Sequence, residues 1–223
     1  MAGREATATR VVLQPVATPL PLGFLALVLV TTVFSALQLG WVPPSDGRVA
    51  ALTAVAATVP LQLLAAVMGF RARDPVAATG MGVLAGTWGV VGLTTLTSPP
   101  GTTSEALGFL LIAAGLAMFV PAISAVTAKI VPAAVMGLAG LRFLVTGGYQ
   151  LTSSAGWKSA AGWVGLLLAL VGLYAALALE LEGSHGRTLL PVGRRGPGRA
   201  AVLGEARLDP GALAGESGVR PQL

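Results

Sequence analysis

The chain has 223 residues, 54% of them hydrophobic and only 10% charged, whereas a soluble domain carries about a quarter charged residues. That balance, with a strongly positive mean hydropathy, excludes an ordinary water-soluble domain and places the chain in a bilayer. With no cysteine, disulfides and thiolate metal centres are excluded. The net charge of +5 and a pI near 10.7 must be tested against membrane orientation before they are read as nucleic-acid affinity.

Residues 1–17 carry Arg4 and Arg10 without clear periodicity and read as a mobile cytoplasmic arm. The stretch Thr18-Pro19-Leu20-Pro21-Leu22-Gly23-Phe24 follows. Its two prolines stiffen the chain ahead of a helix, and Gly23 leaves room for a close neighbour. A charge-free run over 22–42 matches the roughly 20 residues that a helix needs to cross the hydrocarbon. It exceeds the 7–15 apolar residues of a secretory signal, so it is read as a retained helix. Further runs over 49–70, 76–96, 106–126, 130–151 and 160–179 make six spans, an all-α polytopic membrane protein. They are separated by turns or charges such as Pro43-Pro44-Ser45-Asp46-Gly47, Arg71 to Asp74, Pro99-Pro100-Gly101 and Lys129. The transmembrane unit covers 18–193. The remainder, 194–223, is rich in Gly, Ala, Pro and Arg and too poor in apolar residues to fold alone.

Six spans put both termini on one side. That side holds eleven of the fourteen Lys and Arg residues, while the other side has only Arg48 and Lys158. The positive-inside rule therefore sets both termini in the cytoplasm of a multi-pass cell-membrane protein, read as bacterial, and assigns the basic excess to orientation and not to nucleic acid. Leu22-Gly23-Phe24-Leu25 and Leu107-Gly108-Phe109-Leu110 open the first and fourth spans, and Trp88-Gly89 and Gly162-Trp163 lie in the third and sixth. These matches suggest a 3+3 inverted repeat, as in transport proteins whose substrate path lies between repeats.

Inside the membrane the third span carries Gly80, Gly82, Gly86, Gly89 and Gly92, and the Gly82/Gly86 spacing makes a small-residue face suited to another helix. Pro60, Pro121 and Pro132 interrupt three spans. Arg142 lies about 13 and 18 Å from the two ends of the fifth span at 1.5 Å per residue, too deep to snorkel easily. No span contains Asp or Glu. Its partners must then be backbone carbonyls, polar groups such as Gln62 or Tyr149, water, or a passing anion. Structural pairing and a direct role with an anionic solute both stay open. The sequence has no nucleotide-binding loop, paired carboxylates, metal-ligand spacing or nucleophile elbow, so an enzyme fits poorly and neither cofactor nor metal is expected.

The opening stretch, together with Gly186-Arg187-Thr188-Leu189-Leu190-Pro191-Val192-Gly193, Ala161-Gly162-Trp163-Val164-Gly165 and Tyr174, resembles the acetate uptake transporters, also called succinate-acetate permeases. The resemblance runs from Thr18 to Gly193. It implies a six-helix protomer, assembly as a homo-hexamer, and a path through each protomer for small carboxylates, chiefly acetate and sometimes succinate. The family motif Asn-Pro-Ala-Pro-Leu-Gly-Leu is matched at Pro19, Pro21, Leu22 and Gly23, while Thr18 replaces the Asn and Phe24 the final Leu. Members narrow their path with apolar and aromatic side chains, positions that fall at Leu27, Leu84 and Ala139 here. The family's acidic residue after the second span is absent.

The expected function is a channel or transporter for acetate and similar short carboxylates, with proton coupling open. A dry constriction raises a desolvation barrier to a bare anion, and first-turn donors at Gly23 to Leu25 are candidates to lower it. The expected path residues are Thr18, Pro19, Pro21, Leu22, Gly23, Phe24, Leu27, Leu84, Ala139 and Arg142. The alternatives are export of another small metabolite or ammonium, and a non-transporting membrane scaffold.

Overall fold

The computed structural model describes residues 17–196 and 199, so most of the expected arm and tail lies outside the described residues. Among the described residues six helices are long and apolar enough to cross a membrane: α1 Leu20–Gln38, α2 Pro44–Arg71, α3 Pro75–Thr97, α4 Glu105–Val126, α5 Ile130–Thr152 and α6 Ala155–His185. Short links make successive helices run in opposite directions. One end of the bundle, called here the terminal end, therefore holds residue 17, the α2–α3 and α4–α5 links and the segment after α6. The far end holds the other three links.

Helix boundaries follow local chemistry. α1 begins on a Pro19 cap with Pro21 in its first turn, where a missing N–H costs nothing. It stops at Gly40, whose φ of +72° suits glycine. There the Trp41 N–H closes on Ala36 O at 2.9 Å, ending the helix four residues before the apolar run does. Asp74 and Ser104 cap α3 and α4 through their side chains. α6 extends beyond its apolar run at both ends and stops only at Gly186, φ +65°. α2 is the irregular member. Its turns over Thr53–Thr58 widen to π geometry just before Pro60, and the Thr58 hydroxyl donates to Ala26 O of α1 at 3.1 Å.

Glycine sets the closest helix approach. Gly115 and Gly140 face each other so closely that a Cβ on either would lie 2.8 Å from the carbonyl of the other, and Gly108 and Gly147 repeat this contact seven residues away. These two pairs hold α4 against α5. The Gly82/Gly86 face lies elsewhere: Gly86 is exposed with open space around it, and Gly82 only grazes Ala66. The short repeats also land in unlike surroundings, since Phe24 is 0% and Phe109 66% exposed, and Trp88 is 3% and Trp163 59% exposed.

Candidate functional site

The helices that leave the terminal end, α1, α3 and α5, bury more of their length than those that return. Their inward faces meet in one apolar cluster containing Phe24, Leu27, Met81, Leu84, Trp88, Met136, Ala139 and Phe143. At the terminal end this cluster gives way to a cavity of about 370 Å³ that reaches Leu20 of α1, Val76 of α3 and Pro132 of α5. At the far end it gives way to one of about 130 Å³ that reaches Phe34, Val91 and Thr146 of the same helices. On each helix the two cavities are 14 or 15 residues apart, about 21 Å at 1.5 Å per residue.

Leu27 lies seven residues from both Leu20 and Phe34, and Ala139 seven from both Pro132 and Thr146. Leu84 lies eight from Val76 and seven from Val91. The three residues marked in the sequence thus occupy one level, midway between the cavities, and each is at most 1% exposed. Together they form the centre of an apolar plug.

Polar groups without partners flank that centre. Thr31 Oγ1 and Trp88 Nε1, each one turn from the midpoint toward the far end, are buried with no hydrogen bond. The same holds for both amide atoms of Gln62, one turn of α2 beyond Thr58 toward the terminal end. Buried polar atoms are nearly always satisfied in folded proteins, and leaving one unpaired costs about 1–3 kcal/mol. A donor, an amide and a hydroxyl on the two sides of an apolar neck are therefore well suited to a polar solute stepping through it.

The opening motif shapes the terminal mouth. Pro19 and Pro21 are buried, Leu22 half-buried, and the Oγ1 of Thr18 is buried without a partner. Any side chain at Gly23 would overlap Met81 of α3, so this glycine seats α1 against α3. Gly23 is not a free first-turn donor, because its N–H already bonds Pro19 O at 3.3 Å. The second motif folds back as a strap. Ile130 and Val131, in the first turn of α5, donate to Gly193 O and Val192 O at 3.1 and 3.2 Å, and Arg195 N donates to Ala128 O at 2.9 Å. Two of the four unsatisfied donors of a helix start are thereby paired. Tyr174 OH holds Pro191 O at 2.8 Å, and Arg194 pairs with Glu182. Burial, reinforced by Arg194, holds the Lys129 ammonium below its ordinary pKa, while Asp74 and Glu182 pull it back up.

Arg142 is 2% exposed. It reaches from α5 across α6 to α1, donating to Ser35 Oγ at 2.8 Å and to Gln38 Oε1 and Ala161 O at 3.4 Å. Its guanidinium carbon lies 5.8 Å from the Trp88 ring centroid, and Trp88 packs between Phe34 and Phe143. Gly165 is the notch through which it passes, since any Cβ there would overlap the guanidinium. Of the partners expected from sequence, a backbone carbonyl is present. Gln62 is not one of them, because it keeps both amide atoms unpaired.

No protein-family model and no curated protein matches the chain. Among solved structures, that of the bacterial acetate channel SatP matches with a TM-score of 0.71 and 21% identity over 80% of this chain and 100% of that one. The chain has the SatP fold. It is the fold that the resemblance to acetate uptake transporters implies.

On this SatP-like frame the residues expected from sequence to line a path divide into two groups. Phe24, Leu27, Leu84 and Ala139 join the central cluster, and Thr18 to Gly23 lie at its terminal end, where Leu20 lines the cavity. Arg142 stands apart, behind Trp88 near the far cavity. Sequence reasoning missed Thr31, Trp88 and Gln38, and named Gln62 only as a partner for Arg142. A signal was present for Ser35 and Gln38: they stand three apart on the first span, where a buried arginine without a carboxylate needs acceptors.

Proposed function

We propose that the chain belongs to the acetate uptake transporters and conducts acetate and other short carboxylates through the α1–α3–α5 seam, with both termini in the cytoplasm of the cell membrane. The observation that carries this reading is the common level of Leu27, Leu84 and Ala139 between two cavities on a SatP-like fold. Leu27 and Leu84 stand where aromatic side chains are usual in the family, which favours a somewhat wider neck and acids larger than acetate, succinate included. Among the described residues the buried polar and charged side chains are Thr31, Ser35, Thr58, Gln62, Thr87 and Arg142, with no Asp, Glu or His. That favours a channel, or passage of the protonated acid, over a proton relay built from side chains. Assembly as a homo-hexamer is part of the proposal. It is supported by the outward groove in which Gly82 and Gly86 stand beside Ala113 and Ala117, small residues that let helices approach closely in lipid.

The test is labelled flux through the purified full chain in liposomes, offering C1 to C4 carboxylic acids and ammonium in turn. Saturable acetate flux, well above that of empty liposomes, is the expected result. Transport of ammonium alone would favour the export reading, and no flux of any solute through folded protein would favour a scaffold.

A further inference from the structure

The far cavity has a chemical character that the plug lacks. Among the residues lining it are Gln38, Tyr149, Gln150 and Lys158, with no Asp or Glu. It adjoins a wider cavity of about 530 Å³ that shares Gln150 and Thr95, adds Arg48 and is again free of acidic residues.

Both glutamines have their carbonyl ends tied. Gln38 Oε1 accepts from Arg142 Nη2 at 3.4 Å. Gln150 Oε1 accepts from the Ser104 backbone N–H at 2.8 Å. A guanidinium and a backbone N–H have no lone pair to offer, so neither amide can be turned the other way round. Each glutamine thus keeps its carbonyl occupied and leaves its NH₂ for the cavity. Thr95 and Thr146 also line the cavity, but spend their hydroxyl hydrogens on Val91 O and Arg142 O at 2.7 and 2.8 Å. The donors left to the cavity are therefore the two amides, the Tyr149 hydroxyl and the Lys158 ammonium.

Resting on the carboxylate reading above, we propose that this cavity is a capture subsite for the ionised carboxylate, held by Gln38 Nε2, Gln150 Nε2 and Lys158 Nζ before the solute meets the plug. Donors beside a cation, with no competing acid, favour a carboxylate over a neutral amide or an ammonium ion. The subsite also gives the buried Arg142 a task at one remove. Arg142 does not touch the solute; it is a positioning residue that fixes which end of Gln38 faces the cavity.

Glutamate substitutions isolate the effect, because Gln38→Glu keeps an oxygen for Arg142 and Gln150→Glu keeps one for the Ser104 N–H. Each exchanges a cavity donor for a charged acceptor while sparing the structural bond. In liposomes containing the full chain, each change is expected to raise the acetate concentration for half-maximal flux at least tenfold, and to leave flux at saturating acetate within about twofold of the parent. Flux of acetamide, where measurable, should not change. If the parent carries acetate and both variants keep its half-saturating concentration, the subsite is refuted and the carboxylate reading stands. If the folded parent carries no acetate at all, both are overturned. Lys158→Gln supplies a second readout that leaves both tied carbonyls untouched. A several-fold rise in half-saturating acetate supports the subsite, and no change removes Lys158 from it.

Discussion

Gly165→Val is expected to lower the thermal midpoint of the detergent-solubilised protein by about 10 °C and to cut its folded yield. The Cβ alone would overlap the Arg142 guanidinium and crowd Ser35 Oγ, and α6 cannot back away because it packs along both α1 and α5. Overfilling a close-packed interior costs about 1–3 kcal/mol. Stripping a buried charge of its partners costs about 3–5 kcal/mol. Even 3 kcal/mol is a large share of a marginal stability of about 5–15 kcal/mol, and at about 2–4 °C per kcal/mol it gives the quoted shift. The tightest clash is with Arg142, so Gly165→Ala should cost less when combined with Arg142→Ala than on its own. Strictly additive losses would show that the notch is not what makes Gly165 necessary.

Ala139→Phe is expected to reduce acetate flux more than tenfold in protein that still folds. Ala139 is 1% exposed at the narrow level shared with Leu27 and Leu84. A benzyl group there has no free volume to enter, since interiors are packed to crystal-like density. The stability cost is about 1–3 kcal/mol, so folded yield and flux have to be measured on the same preparation. Pairing the change with Leu84→Ala returns volume at the same level and should restore part of both. Full flux through folded Ala139→Phe would place the path elsewhere.

Six helices were legible because each needed about twenty apolar residues, and only lipid asks for that. Their ends were less so. Hydropathy falls where a helix leaves the hydrocarbon, but the helix itself stops where the backbone requires it, at Gly40 or Gly186. α6 therefore runs from Ala155, whereas its apolar run starts only at 160. Glycine spacing showed that Gly82 and Gly86 share a face, yet spacing cannot say which helix, if any, lies against it. The tight pairs, Gly115 with Gly140 and Gly108 with Gly147, join two helices, and the seven-residue glycine spacing within each does not name its partner.

The plug level was legible only through the family resemblance, which placed Leu27, Leu84 and Ala139 on three helices far apart in sequence. Composition alone gives no reason to choose one leucine among so many. Arg142 could be seen to need acceptors, but Ser35, Gln38 and Ala161 became its partners because Gly165 opens a passage between α5 and α1. That fact belongs to packing. The unpaired Gln62, Thr31 and Trp88 likewise emerge only once the neighbours that fail to satisfy them are known.

The chain contains no cysteine, so a single introduced thiol reports on one level of the seam. The most direct measurement is labelled acetate flux through liposomes containing Leu84→Cys protein, before and after treatment with a small water-soluble methanethiosulfonate reagent, with and without excess acetate during labelling. Solute passage between α1, α3 and α5 predicts that the thiol is labelled, that labelling blocks flux, and that acetate slows the block. Complete labelling with undiminished flux would contradict it.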